Sequence, residues 1–237
     1  MTEEKPSPFD DSYVGDGPKA YMSVGRSQGY NPIPPELPDY CETVLDCAVL
    51  YGNSSLGAMF GWDFSRSCEF WEGGAGLSEN DRSQTVLHKR LKMIGLDGSD
   101  SALKYSLSMN IIDQGILQDF EDEMSHDTQI ALEQADVWIL QQCLSYMPLD
   151  HLHAWMKAFL QDRARPKRFI YDFNPYFDTV RDMTPQALLK DVSGWKLSFE
   201  KFYAYRQKTD EEYEISKANG RDMVVYHYVV DFEEIKM

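Results

Sequence analysis

Thr43-Val-Leu-Asp-Cys-Ala-Val-Leu-Tyr-Gly52 is an apolar run that carries one acid, Asp46, and closes on a small-residue turn. Farther along, Lys92-Met-Ile-Gly-Leu-Asp97 repeats the design, an apolar run that stops on a carboxylate. An apolar strand, a tight turn, a helix and a second apolar strand with an acid at its tip is the layout of a nucleotide-binding α/β half. An acid at that second tip is placed to accept hydrogen bonds from ribose hydroxyls. The pair of runs therefore predicts an α/β fold that takes an adenosine-containing ligand.

The same reading extends in both directions. Residues 43–50 read as a buried parallel strand, because they are rich in Val and Leu without alternation. Gly52-Asn-Ser-Ser is a turn with capping residues, and Leu56 to Trp62 a short helix. Asp63 to Asn80 reads as irregular. Its Trp71-Glu-Gly-Gly-Ala-Gly76 lacks a preceding strand and the Lys and Ser/Thr of a phosphate loop, so a mobile surface loop is expected. Further strands are expected at 91–96, 116–119, 136–143 and 168–173. Helices are expected at 102–110, 128–135, 148–161 with Asp150 as cap, and from Pro185 onward. Trp195 to Tyr205 and Met223 to Val230 read as a final antiparallel pair joined by the polar stretch Gln207–Arg221.

Length and charge limit what such a domain does. The chain has 237 residues, 43% of them hydrophobic, enough for one large α/β domain. No apolar run approaches the roughly 20 residues of a membrane span, and the polar, acidic N-terminus is unlike a signal peptide, so the cytosol is the expected place. The net charge of −16 repels phosphate backbones, which argues against a nucleic-acid substrate. Acidic runs at Glu121-Asp122-Glu123, Asp210-Glu211-Glu212 and Asp231-Phe-Glu-Glu234 read as solvated faces. The four cysteines include no C-x-x-C; Cys47 and Cys143 lie in apolar runs as core residues. His151 and His153 diverge on a helix, and no third metal ligand is suggested nearby. Residues 1–38 read as an N-terminal arm, its first dozen residues disordered, and 39–237 as the domain. Five prolines between Pro18 and Pro38 are expected to break any helix there, with the aromatic residues Tyr21 and Tyr30 laid on the domain.

This order of elements resembles the class I, seven-stranded, S-adenosylmethionine-dependent methyltransferases, over roughly residues 30 to 230, and within them a small-molecule branch. The residues that carry it are Leu45-Asp46-Cys47-Ala48-Val49-Leu50-Tyr51-Gly52, Gly95-Leu-Asp97-Gly-Ser-Asp-Ser-Ala-Leu103-Lys-Tyr105, Ile112-Asp113-Gln-Gly115-Ile116 and Gln142-Cys-Leu-Ser-Tyr146-Met147. The resemblance implies a three-layer α-β-α sandwich whose mostly parallel seven-stranded sheet ends in an antiparallel strand. It implies S-adenosylmethionine as cofactor and a small-molecule acceptor, with a place in secondary metabolism. The partners are that acceptor and, as a homodimer, a second copy of the chain; neither nucleic acid nor a membrane is expected.

Residue by residue, the resemblance gives Asp97, with Gly98, to the ribose hydroxyls. Asp119 takes the adenine amino group, with Phe120 beside it. Asp46 organises the loop and the ligand's ammonium. Ala48, Tyr51 and Gly52 let backbone approach the methionine part, and Gln141 and Gln142 face the cofactor from the fourth strand. Tyr146 and His151 orient the acceptor, and Asp172-Phe-Asn174-Pro-Tyr176 line its pocket, closed by Tyr21, Arg26 and Tyr30. Ala48 stands at the place of a glycine, Leu50 at that of a small residue, and Ser145 at that of another glycine. These three support an alternative: a methyltransferase fold whose cofactor site is lost or repurposed in a binding protein or a non-methylating enzyme. A nicotinamide-dependent oxidoreductase is disfavoured, because G-x-G-x-x-G is missing.

Overall fold

A computed structural model describes residues 17–28, 32–141, 143–144, 147–162, 164–173, 184–205 and 224–234. Its centre is a seven-stranded sheet in the order β3-β2-β1-β4-β5-β7-β6. The strands are β1 (Thr43–Cys47), β2 (Lys92–Asp97), β3 (Gln114–Leu117), β4 (Val137–Leu140), β5 (Lys167–Phe173), β6 (Trp195–Tyr205) and β7 (Val224–Glu234). β1 to β5 pair in parallel. β7 runs antiparallel to both β5 and β6. The expected fold class is therefore present, including the antiparallel strand near one edge.

Alternation along each strand feeds two cores. Leu45, Cys47, Trp138, Leu140, Phe169 and Tyr171 face one helical layer. Val44, Val137, Ile139 and Ile170 face the other. The helices are α1 (Gly17–Gln28), α2 (Asn53–Phe60), α3 (Phe64–Gly73), α4 (Glu79–Ser83), α5 (Asp100–Ser108), α6 (His126–Gln134), α7 (Leu149–Phe159) and α8 (Pro185–Leu188). The first layer buries Leu132, Leu152, Trp155 and Phe159 from α6 and α7. The second buries Leu56, Cys68, Trp71 and Leu103 from α2, α3 and α5.

Several expectations need correction. The first strand stops at Cys47 instead of running to residue 50, because Ala48 and Leu50 take left-handed backbone angles, φ 57 and 43, which no sheet ladder accommodates. The stretch expected to be irregular contains α3. The Asp63 carboxylate caps it by accepting from Arg66 N at 2.9 Å, and Gly74, at φ 68, ends it. The arm expected to be helix-free contains α1. Only Pro18 falls inside it, in the first turn, where its missing N–H costs nothing; the other four prolines follow the helix. β3 ends at Leu117, so Asp119 lies in the turn beyond the strand tip. Pro148, not Asp150, is the cap residue of α7.

One buried staple outside the site fixes the β2–β3 edge. Arg82, without exposed surface, donates to the carbonyls of Asn110, Ile111 and Leu91 and pairs with Asp113 at 2.5 Å. Burial raises the Asp113 carboxyl, but the Met93 amide, Arg90 and Arg82 outweigh it and hold the group below its usual range. Among the described residues no helix is long and apolar enough to cross a membrane.

Candidate functional site

Ligands of open α/β sheets bind beyond the carboxyl ends of the strands, and here that end gathers most of the acids the sequence singles out. β1 delivers Asp46, β2 delivers Asp97, and the five-residue turn Ala48–Gly52 crosses between them. The turn has three left-handed residues: Ala48, Leu50 and Gly52 at φ 81. Each non-glycine residue in that region costs about 1–2 kcal/mol, so the surroundings must hold the turn in place.

Four contacts do so. The Leu50 amide donates to Asp97 Oδ2 at 2.8 Å. Ser106 Oγ donates to the Leu50 carbonyl at 2.8 Å. The Trp71 indole donates to the Tyr51 carbonyl at 3.0 Å. The Val49 amide reaches Leu96 O at 3.3 Å. At its far end the turn opens directly into α2, where Leu56 N donates to Gly52 O at 2.8 Å. Glycine is required at 52: a Cβ there would sit 2.6 Å from Ile111 Cγ2.

Asp97 therefore serves the turn. Its second oxygen accepts from Ser99 N at 2.9 Å, and the residue is 3% exposed. Burial raises its pKa, while the amides of Leu50, Ser99 and Gly98 pull it back down. Asp46 has no exposed surface. Ser55 Oγ donates to its Oδ2 at 2.6 Å, and its Oδ1 has no hydrogen-bond partner among the described residues. Burial pushes its pKa up to about 7, against the favourable pull of Ser55 and with a further push from Asp97. Nearby in sequence, at the start of α2, Asn53 Oδ1 is also buried and unpartnered. Two orphaned acceptors fit a ligand that brings donors such as an ammonium group.

The other expected residues fall into three places. Gln141 is buried, and its amide donates to the Ile33 carbonyl at 2.9 Å, so it ties down the proline-rich segment before β1. Asp119 Oδ1 accepts from Glu121 N at 2.9 Å within its own turn. Phe120 is core, with its ring 5.8 Å from that of Trp155. His151 Nδ1 is 2.9 Å from the Phe120 carbonyl, which joins α7 to the turn after β3. Gln142, Tyr146, Ser145, Asn174, Tyr176 and Tyr30 lie outside the described residues, as does the Arg26 side chain. The Leu50 side chain packs, half-buried, on the second core cluster with Tyr21 and Tyr105.

Sequence reading missed two features here. Asp172 was placed near the acceptor, but its partner was not: His227 Nδ1 lies 2.6 Å from Asp172 Oδ1, both side chains buried, where β7 pairs with β5. The second is an aromatic cover on the turn. Tyr51 meets Tyr21 of α1 at 5.7 Å and Tyr105 at 5.4 Å between ring centroids. A histidine in a late strand gives no local signal of its partner; the Tyr21 contact needed α1. Among the described residues no group of three or more His, Cys, Asp or Glu could hold a metal ion.

The strand order, with β7 antiparallel, defines the class: the chain has the class I methyltransferase-like fold. No family model matches the sequence, and no curated protein matches it. Among solved structures it is similar to a TehB-like SAM-dependent methyltransferase from Corynebacterium glutamicum, 8% identical over 95% of this chain and 100% of that one, TM-score 0.49. It is also similar to the N-methyltransferase NodS from Bradyrhizobium japonicum, 9% identical over 96% and 99% of the two chains, TM-score 0.45. A third is the plantazolicin methyltransferase BpumL in complex with a triazolic desmethylPZN analog and SAH, 11% identical over 94% of each chain, TM-score 0.47.

Proposed function

We propose that the chain is an S-adenosylmethionine-dependent methyltransferase acting on a small molecule. The observation that carries the reading is the unpartnered Oδ1 of Asp46, buried at the carboxyl end of β1. A buried carboxylate oxygen without a donor is costly unless a ligand satisfies it. In this reading Asp46 and Asn53 take the ligand's ammonium, Asp97 with Gly98 the ribose hydroxyls, and the turn Asp119-Phe120 the adenine end. Ala48, Tyr51 and Gly52 offer backbone to the methionine part, and Gln141 and Gln142 close the site from β4. When bound, the cofactor supplies an electrophilic methyl group; transfer then depends mainly on positioning. Tyr146, His151 and the Asp172–His227 pair are the groups that would orient the acceptor or hold its proton. A net charge of −16 favours a small acceptor over nucleic acid, and a cytosolic setting suits this reading.

One observation favours the alternative, a fold whose cofactor site has been lost or repurposed. Both oxygens of Asp97 already accept backbone amides. Calorimetric titration of the full chain with S-adenosylmethionine and S-adenosylhomocysteine separates the two. Saturable binding at one site supports the methyltransferase; no binding at millimolar ligand defeats it. Asp97→Ala is a poor probe of ribose contact, because it also releases the turn.

A further inference from the structure

The groups assigned above to the ammonium and ribose are closed off in this conformation. Asp46 is 0% exposed, Asp97 3%, Tyr51 4% and Asn53 8%. The Ala48–Gly52 turn is bonded to Asp97 through the Leu50 amide, and Tyr21 of α1 packs on Tyr51. The turn is held against its own backbone preference, since Ala48 and Leu50 occupy the left-handed region that favours glycine. Beside the longer Val49 N–Leu96 O bond, its hold on β2 runs through one side chain, the Asp97 carboxylate, and that carboxylate is also the ribose acceptor of the methyltransferase reading. The two uses compete for the same oxygen.

We propose that Asp97 is a clasp: it holds the 48–52 turn shut through the Leu50 amide, and a ligand carrying vicinal hydroxyls enters only by exchanging them for that amide. The choice of ligand rests on the methyltransferase reading; the clasp itself does not. Asp97 is thus a positioning residue for the turn, and a two-state one. With the closed form as the ground state, the apparent affinity for the ligand is the intrinsic affinity multiplied by the fraction of molecules that are open. The orphaned oxygens of Asp46 and Asn53 are the acceptors left for an entering ammonium.

The test follows the Leu50 amide by hydrogen exchange and proton resonance in the isotope-labelled full chain, with S-adenosylhomocysteine as probe. Without ligand, Leu50 should exchange at least about tenfold more slowly than in Asp97→Ala, which removes the acceptor, with the core amides of Leu45 and Ile139 unchanged between the two. At saturating probe, Leu50 should lose that protection and its resonance should move. Saturable binding with the Leu50 bond intact would overturn the clasp and leave the methyltransferase reading standing. No binding at millimolar probe, with Leu50 protected in the wild type and released in Asp97→Ala, would support the clasp as a lasting closure and defeat that reading. Equal Leu50 exchange in wild type and Asp97→Ala overturns the clasp outright. Should Asp97→Ala not fold, the wild type is read alone: a Leu50 amide that exchanges within about tenfold of the unstructured-chain rate overturns the proposal.

Discussion

Gly52→Ala tests how tightly the turn is packed, and the structure supplies its own control. A Cβ at position 52 would stand 2.6 Å from Ile111 Cγ2 and 2.9 Å from its Cδ1, with φ at +81. Gly74 is also left-handed, at φ +68, but a Cβ there meets nothing within 4 Å. Both substitutions pay the left-handed penalty of about 1–2 kcal/mol, partly offset by about 0.4–1 kcal/mol from a stiffer unfolded chain. Gly74→Ala should therefore cost between about 0 and about 1.6 kcal/mol. At position 52 overpacking adds about 1–3 kcal/mol. Ile111 has little room to yield, because it is fully buried and its carbonyl accepts from Arg82 at 2.6 Å. The expected cost of Gly52→Ala is about 1–4.6 kcal/mol, above that of Gly74→Ala by the overpacking of about 1–3 kcal/mol. Urea unfolding followed by tryptophan fluorescence measures both, with the m-value required to stay constant. If the two variants come within about 0.5 kcal/mol of each other, which is the scatter of neutral surface changes, the turn is not packed on Ile111 as described.

Arg82→Ala should cost about 3–5 kcal/mol, because it takes the donor from three carbonyls, two of them buried, and leaves Asp113 only Arg90 and the Met93 amide; a loss near 1 kcal/mol in urea unfolding would mean that water replaces the guanidinium without strain. Asp46 governs a pH dependence. Its folded pKa is raised to about 7 by burial, so between about pH 4 and 7 the folded chain keeps a proton that the unfolded chain has lost, and stability falls as pH rises through that window. Asp97 is raised too and acts in the same sense, whereas Asp113 is lowered and acts below the window. Asp46→Asn should flatten the slope of unfolding free energy between pH 4.5 and 7, limits taken inside the approximate window above; an unchanged slope would show that Asp46 is ionised in the folded chain.

The sheet was legible because buried parallel strands are apolar runs: β1, β2, β4 and β5 are marked that way, and the antiparallel β6 and β7 by aromatic and β-branched residues. α3 was legible too, through Asp63 before it and Gly74 after it, but the glycines at 73, 74 and 76 drew the reading toward a loop. α1 was hidden because five prolines were weighed together, although four of them follow the helix. At the site, the acids could be read because strand tips are positions in sequence. Their partners could not: the Leu50–Asp97 bond spans 47 residues and the Ser106–Leu50 bond 56. Leu50 shows the limit most clearly. From sequence, its bulk is what threatens a cofactor, and the choice is between a side chain that fills the methionine place and one that turns away. In the structure the side chain packs on the second core cluster, while its backbone N–H takes the carboxylate that a ribose would need. The obstruction is an amide that every residue but proline carries, presented by a backbone angle that glycine would hold without strain. Side-chain size at position 50 is therefore the wrong variable; the competition for Asp97 decides whether the site opens.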